Sequence, residues 1–174
     1  MPDTRNRRRA SVPILAVGIA IVAFAGCSPT DADRVEVTGE MKARALEQID
    51  RGEMPDYSDW RMEETDDGVR YVVLRSGEGE TAWYDDDVRV HYYLWLTDGT
   101  PVDSTRPDGV SKPFEFTVGG RRVIAGWSEI IQVMNEGSRV LAVVPWQRGY
   151  GRRGRSSIPG RSDLVFAIEL LRIK

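Results

Sequence analysis

Residues 88–97 constrain this chain more than any other stretch. Val88, Val90, Tyr92, Leu94 and Leu96 alternate with Arg89, His91, Tyr93 and Trp95. That period of two belongs to a strand, with the two sets on opposite faces. Other segments follow the same rhythm. Residues 60–65 and 69–75 flank Asp66-Asp67-Gly68, a hairpin signal. Gly77 and Gly79 mark a loop, and Asp98-Gly99 turns the chain after the long strand. Phe114, Phe116 and Val118 share one face of a short strand, and residues 139–144 and 164–173 are apolar strands. One short helix interrupts them, at about residues 128–135. Ser128 is placed to cap it, Ile130, Ile131 and Met134 form its stripe, and Gly137 stops it. Strands with one inserted helix predict an α+β fold with a twisted antiparallel sheet.

Composition narrows the function classes. The chain has 174 residues, enough for one domain and an appendage, and its 41% hydrophobic content can fill a core. A single cysteine excludes a disulfide framework and cysteine-based zinc clusters, and a single histidine excludes multi-histidine metal sites. Phosphate-cradling glycine motifs are absent. No cofactor and no metal is expected. The net charge is −3, yet residues 1–26 hold four arginines against one aspartate, so the remainder is more acidic still. Such a chain is not a general nucleic-acid binder.

The first residues read as an address. A basic run, Arg5-Asn-Arg-Arg-Arg9, precedes an apolar stretch of secretory length at residues 12–26. It ends at Phe24-Ala25-Gly26-Cys27, which resembles a bacterial lipobox despite Phe24 in place of the usual Leu. The resemblance implies removal of residues 1–26 and lipidation of Cys27, giving an exported lipoprotein on the periplasmic side. Ser28, rather than Asp, implies the outer membrane where there are two. An ordinary signal peptide or a single anchor helix would share the basic and apolar runs. Residues 27–66 then form a lipidated cysteine, an acidic tether and a helix, with thirteen acids against five bases over residues 28–67. The helix spans 39–51. Thr38 caps it, Met41, Ala45, Leu46 and Ile49 share one face, and Gly52 and Pro55 end it.

The pattern over residues 67–174 resembles the FKBP-type peptidyl-prolyl isomerases. The resemblance runs through Val88-Arg-Val-His-Tyr92, Val102-Asp103-Ser104-Thr105, Lys112-Pro-Phe-Glu-Phe116 and Val123-Ile124-Ala-Gly-Trp127. It continues through Met134-Asn-Glu-Gly137, Val144-Pro145, Tyr150-Gly151, Ile158-Pro159 and the 164–171 strand. It implies a sheet wrapped around one short helix and a pocket that takes proline-containing clients and macrolide inhibitors. By resemblance the pocket comprises Tyr92, Val102, Asp103, Phe114, Val123, Ile124, Trp127, Tyr150, Ile158 and Phe166. Trp127 would be the floor, Tyr92, Phe114 and Phe166 the walls, and Ile124 N–H a donor to a substrate carbonyl. Tyr92, Asp103 and Tyr150 would be the polar catalytic groups.

This chain departs from the family at Val102, where a Phe is usual, and at Leu94, where a Gly is usual. The loop between Pro145 and Tyr150 is one residue longer, the segment before Ile158 one shorter, and Gly160 replaces a second Pro. The pocket overhang is therefore altered. Three functions fit: an isomerase, a client-holding module with little turnover, or a structural domain serving a membrane complex.

His91 faces away from Tyr92 and is not expected to be catalytic. Its neighbours Tyr93 and Trp95 need cover, which the 39–51 helix or Trp60 would supply. Arg148, Arg152, Arg153, Arg155 and Arg161 form an acid-free basic stretch. It reads either as a solvated loop or as a basic lip attracting acidic clients or lipid headgroups. Nothing in the sequence decides oligomeric state.

Overall fold

The computed structural model describes residues 34–106 and 111–174. The leader, the lipobox, Cys27 and the first part of the tether lie outside them. Among the described residues no helix is long and apolar enough to cross a membrane.

The elements run α1 (Gly39–Asp50), β1 (Glu63–Glu64), β2 (Arg70–Arg75), β3 (Asp87–Leu96), β4 (Pro101–Ser104), β5 (Phe114–Thr117), α2 (Ala125–Ile131), β6 (Arg139–Val144) and β7 (Leu164–Ile173). The strands form one antiparallel sheet ordered β1-β2-β6-β7-β3-β4, and β5 also pairs with β3. The expected α+β architecture, with a helix ahead of the sheet domain, is the one observed.

The alternation seen in the sequence becomes two cores. On the inner face Val88, Val90 and Leu94 of β3 pack with Phe166, Ile168 and Leu170 of β7, and with α2. On the outer face Trp95, Leu141, Val165 and Ala167 pack with Val72 and Leu74 of β2. Strand β6 is buried along its whole length because both faces are covered.

Helix α1 covers the outer face. Ala45 and Ile49 are 1% exposed and share this core with Trp60, while Met41, Leu46 and Tyr93 pack at its margin. Thr38 caps the helix by accepting from Met41 N–H at 3.3 Å. Gly52, at φ 78°, supplies the left-handed residue after it. Its carbonyl accepts from Trp95 Nε1 at 3.3 Å, which ties the end of the helix to β3. Tyr93 and Trp95 stack at 5.6 Å beneath this cover. The chain before the helix is also anchored: Val35 bridges Trp60, and Val35 N–H donates to Asp59 O at 2.8 Å. Over residues 34–38 the polar tether is therefore docked chain. His91 is buried on the same outer face, with Nδ1 2.9 Å from Thr105 Oγ1 and Nε2 2.8 Å from Ser111 Oγ. This is a structural position that holds the segment after β4.

Helix α2 begins earlier than the sequence suggests. Its N-cap is Ile124, with no side-chain cap bond, and Ser128 lies inside the helix. The Ser128 hydroxyl instead accepts from Gly119 N–H at 2.9 Å and fixes the β5–α2 loop. A capping residue type is a local signal; here a loop amide outcompeted the helix terminus for it.

Ile49→Ala is expected to lower unfolding stability by about 2–4 kcal/mol, because it opens a void between α1 and the sheet. Glu47→Ala, on the exposed side of the same helix, should stay within about 0.5 kcal/mol. Denaturant unfolding of the two variants checks whether α1 belongs to the folded unit.

Candidate functional site

Helix α2 packs against the inner face of the sheet. Gly126 makes that seat possible. A Cβ there would lie 2.5 Å from Val144 Cγ1 and 3.4 Å from Val69 Cγ2, so any side chain would force Val144 or the helix to move. Gly126 N–H also donates to Arg148 O at 3.0 Å. Arg148 in turn grips Glu129 of α2, and Asp67 of the β1–β2 turn at 2.5 Å. Backbone approach and ion pairing thus hold one helix in one place.

The next residue, Trp127, is 4% exposed and forms the floor of a cavity of about 700 Å³. Its ring centroid lies 5.0 Å from Tyr92, 5.4 Å from Phe166, 6.0 Å from Phe114 and 5.3 Å from Phe116. Three of these contacts are edge-to-face, the arrangement aromatic quadrupoles favour. The indole Nε1–H is buried without an acceptor among the described residues. That orphan costs roughly 1–3 kcal/mol. Burial of the ring, worth about 4–6 kcal/mol, outweighs it.

All ten residues expected at the pocket line this one cavity: Tyr92, Val102, Asp103, Phe114, Val123, Ile124, Trp127, Tyr150, Ile158 and Phe166. Strand β3 presents Tyr92, β4 presents Val102 and Asp103, β5 presents Phe114, and β7 presents Phe166. Tyr150 and Ile158 come from the β6–β7 loop. That loop doubles back through paired backbone bonds between Arg155 and Ile158, of 3.0 and 2.9 Å. Ser156 takes the left-handed region (φ 50°) to close the turn. Ile158 is thereby buried while Ser156, Ser157 and Pro159 stay exposed. The Ile124 N–H forms no bond within the described residues and sits at an uncapped helix start.

The polar side chains that line the cavity beside the aromatic cluster are Tyr92, Asp103, Arg121, Arg122, Tyr150, Arg155, Ser156 and Ser157. Tyr92 Oη donates to Asp103 Oδ2 at 2.5 Å, and Asp103 Oδ1 accepts from Ser104 N–H at 2.8 Å. Burial, and then the Asp103 hydrogen bond, hold the Tyr92 phenol well above its usual 10.0. Burial also raises Tyr150; nearby Arg155 opposes that and Asp103 adds to it. Both phenols therefore remain neutral donors at physiological pH. Among the described residues no three His, Cys, Asp or Glu side chains gather as a metal site.

Three features of the site were missed in the sequence. Leu94 lines the cavity beside Tyr92; its phase on the Tyr92 face was the available signal. Arg121 and Arg122 also line it, from the β5–α2 loop, where no periodicity marks direction. Arg148 does not join a free basic lip, because Glu129 and Asp67 neutralise it.

An antiparallel sheet packed on a short helix, with an aromatic cavity at the helix start, defines an α+β domain. Residues 78–171 match the family model described as FKBP-type peptidyl-prolyl cis-trans isomerase. The chain belongs to that family. It is 44% identical over 110 residues to the FKBP-type 22 kDa peptidyl-prolyl cis-trans isomerase of Escherichia coli, covering 63% of this chain and 52% of that protein. It is 38% identical over 109 residues to peptidyl-prolyl cis-trans isomerase Fkbp12 of Drosophila melanogaster, covering 62% of this chain and 99% of that one. The crystal structure of FkpA from Escherichia coli superposes with a TM-score of 0.61 at 31% identity, covering 78% of this chain and 63% of that chain. The chain thus spans about half the length of the 22 kDa bacterial relative.

Because the fold favours the neutral Tyr92 phenol, its stabilising contribution is complete below pH 10.0 and is lost as pH rises beyond it. Unfolding measured between about pH 9 and pH 11 should show stability falling with pH. Tyr92→Phe should make that fall shallower.

Proposed function

We propose that the chain is a peptidyl-prolyl cis-trans isomerase acting on Xaa-Pro bonds of exported proteins as they fold. The observation that carries this reading is the cluster of aromatic rings, Tyr92, Phe114, Trp127 and Phe166, that lines one cavity. An Xaa-Pro bond crosses a barrier of about 18–20 kcal/mol that arises from amide resonance. When the bond twists, resonance is lost, the carbonyl becomes less polar and the prolyl nitrogen pyramidal. The planar amide is the better hydrated form, so an apolar cavity that strips water favours the twisted one. Each 1.36 kcal/mol of that difference is worth about tenfold in rate. The proline ring would pack on Trp127 between Tyr92, Phe114 and Phe166. Ile124 N–H, without a partner among the described residues, suits a substrate carbonyl. Tyr92, Asp103 and Tyr150 provide the polar rim, and the Tyr92–Asp103 bond holds β3 and β4 in register there.

Residues 1–26 act, on this reading, as a lipoprotein signal, with Cys27 carrying the lipid that holds the domain at the periplasmic side of a membrane. Two acyl chains are about what stable anchoring needs. Cys27→Ser should abolish incorporation of labelled fatty acid and release the protein from the membrane fraction. Unchanged labelling would overturn the lipoprotein reading.

The decisive assay is turnover of short Xaa-Pro peptides by the full chain, with and without rapamycin as the macrolide inhibitor. Macrolide-sensitive turnover is expected. Trp127→Leu should reduce kcat/KM by at least about tenfold, and Asp103→Ala by a smaller factor, since Asp103 acts at the rim. A second reading, client holding without useful turnover, draws on Leu94 and Val102, which line the cavity where the family carries Gly and Phe. A folded chain that shows no turnover yet suppresses aggregation of an unfolded client at equimolar ratio would favour it.

A further inference from the structure

The mouth of the cavity carries charge of the opposite sign to the chain. The net charge overall is −3. Yet the charged residues lining the cavity are Arg121, Arg122, Arg155 and a single acid, Asp103. That acid is engaged by Tyr92 Oη and Ser104 N–H. No carboxylate among the described residues forms an ion pair with any of the three guanidiniums. Two of them are held at the cavity walls by aromatic faces. The Arg122 guanidinium lies 5.7 Å from the Phe114 centroid, and that of Arg155 lies 5.7 Å from the Tyr150 centroid. They come from two different loops, β5–α2 and β6–β7, so the cavity is framed by cations from both. Arg148 shows the contrast, since the same fold neutralises it with two carboxylates.

We propose that this rim selects polypeptide segments carrying an aspartate or glutamate beside the proline. The inference rests on the proline-pocket reading above. With proline seated on Trp127, a neighbouring carboxylate would meet guanidiniums that have no counter-ion among the described residues. Arginine offers a carboxylate two parallel hydrogen bonds as well as charge. The observations favour a peptide over a lipid surface. The three guanidiniums line the same cavity as the aromatic rings, so one ligand must satisfy both. Arg152 and Arg153 are exposed but do not line it.

The test is binding of paired peptides, Ala-Glu-Pro-Phe and Ala-Gln-Pro-Phe, to the full chain by NMR titration. Turnover is followed in the same samples. The Glu peptide should bind about fivefold more tightly at low salt, and the preference should shrink below about twofold near 0.5 M salt. Arg121→Gln/Arg122→Gln should remove most of it. Arg152→Gln/Arg153→Gln, which deletes the same charge away from the cavity, should keep it. Equal binding of the two peptides overturns the proposal, as does a preference that survives Arg121→Gln/Arg122→Gln. A Glu preference without turnover of either peptide upholds the rim and overturns the isomerase reading; turnover without preference does the reverse. Failure of every peptide to bind overturns both. Vesicles of phosphatidylglycerol provide the remaining arm. Vesicle binding that Arg121→Gln/Arg122→Gln weakens, with peptide preference unmoved, would assign the rim to lipid headgroups and overturn the proposal.

Discussion

The seating of α2 against β6 through Gly126 is the contact on which the rest of the molecule depends. A helix of seven residues is too short to persist by itself. It exists because Trp127, Ile130 and Ile131 are buried on the sheet, and they reach it because residue 126 has no side chain. The same contact puts the Trp127 ring within 5.0–6.0 Å of Tyr92, Phe114, Phe116 and Phe166. Stability and site are therefore one arrangement, viewed once as core and once as cavity floor.

The sheet must be stiff on its other side for that arrangement to hold. Strands β2, β3, β6 and β7 all carry apolar residues outward as well as inward, and α1 with Trp60 seals the outer set. Residues 34–66 thus complete the fold in addition to whatever reach they lend the domain. Charge follows the same economy. Arg148 is tied to Glu129 and Asp67 where the helix must be gripped, whereas Arg121, Arg122 and Arg155 have no carboxylate partner among the described residues. Isolated surface pairs contribute little to stability, so unpaired cations cost the fold little.

Much of this was legible in the sequence, for identifiable reasons. Strand β3 announced itself because alternate residues point to opposite faces whatever lies around them. Helix α1 was readable from Thr38, the Ala45–Ile49 stripe and Gly52, and it matches the structure almost residue for residue. The start of α2 was not readable. Ser128 has a capping side chain, but the Gly119 amide claims it, and the true N-cap, Ile124, has no capping group at all. The aromatic set at the cavity emerged from motif resemblance, since Trp127 and Phe166 taken singly look like ordinary core.

The sequence by itself determined the type of each main element and which faces were apolar, because periods of two and 3.6 are properties of the local backbone. It also implied that two layers were needed, since β3 is apolar or aromatic on both sides. Only the tertiary structure decided which layer met which face. It also decided that arginines from two loops would frame one opening. Those outcomes depend on the path of loops and on encounters between residues far apart in the chain. Neither is encoded in local periodicity.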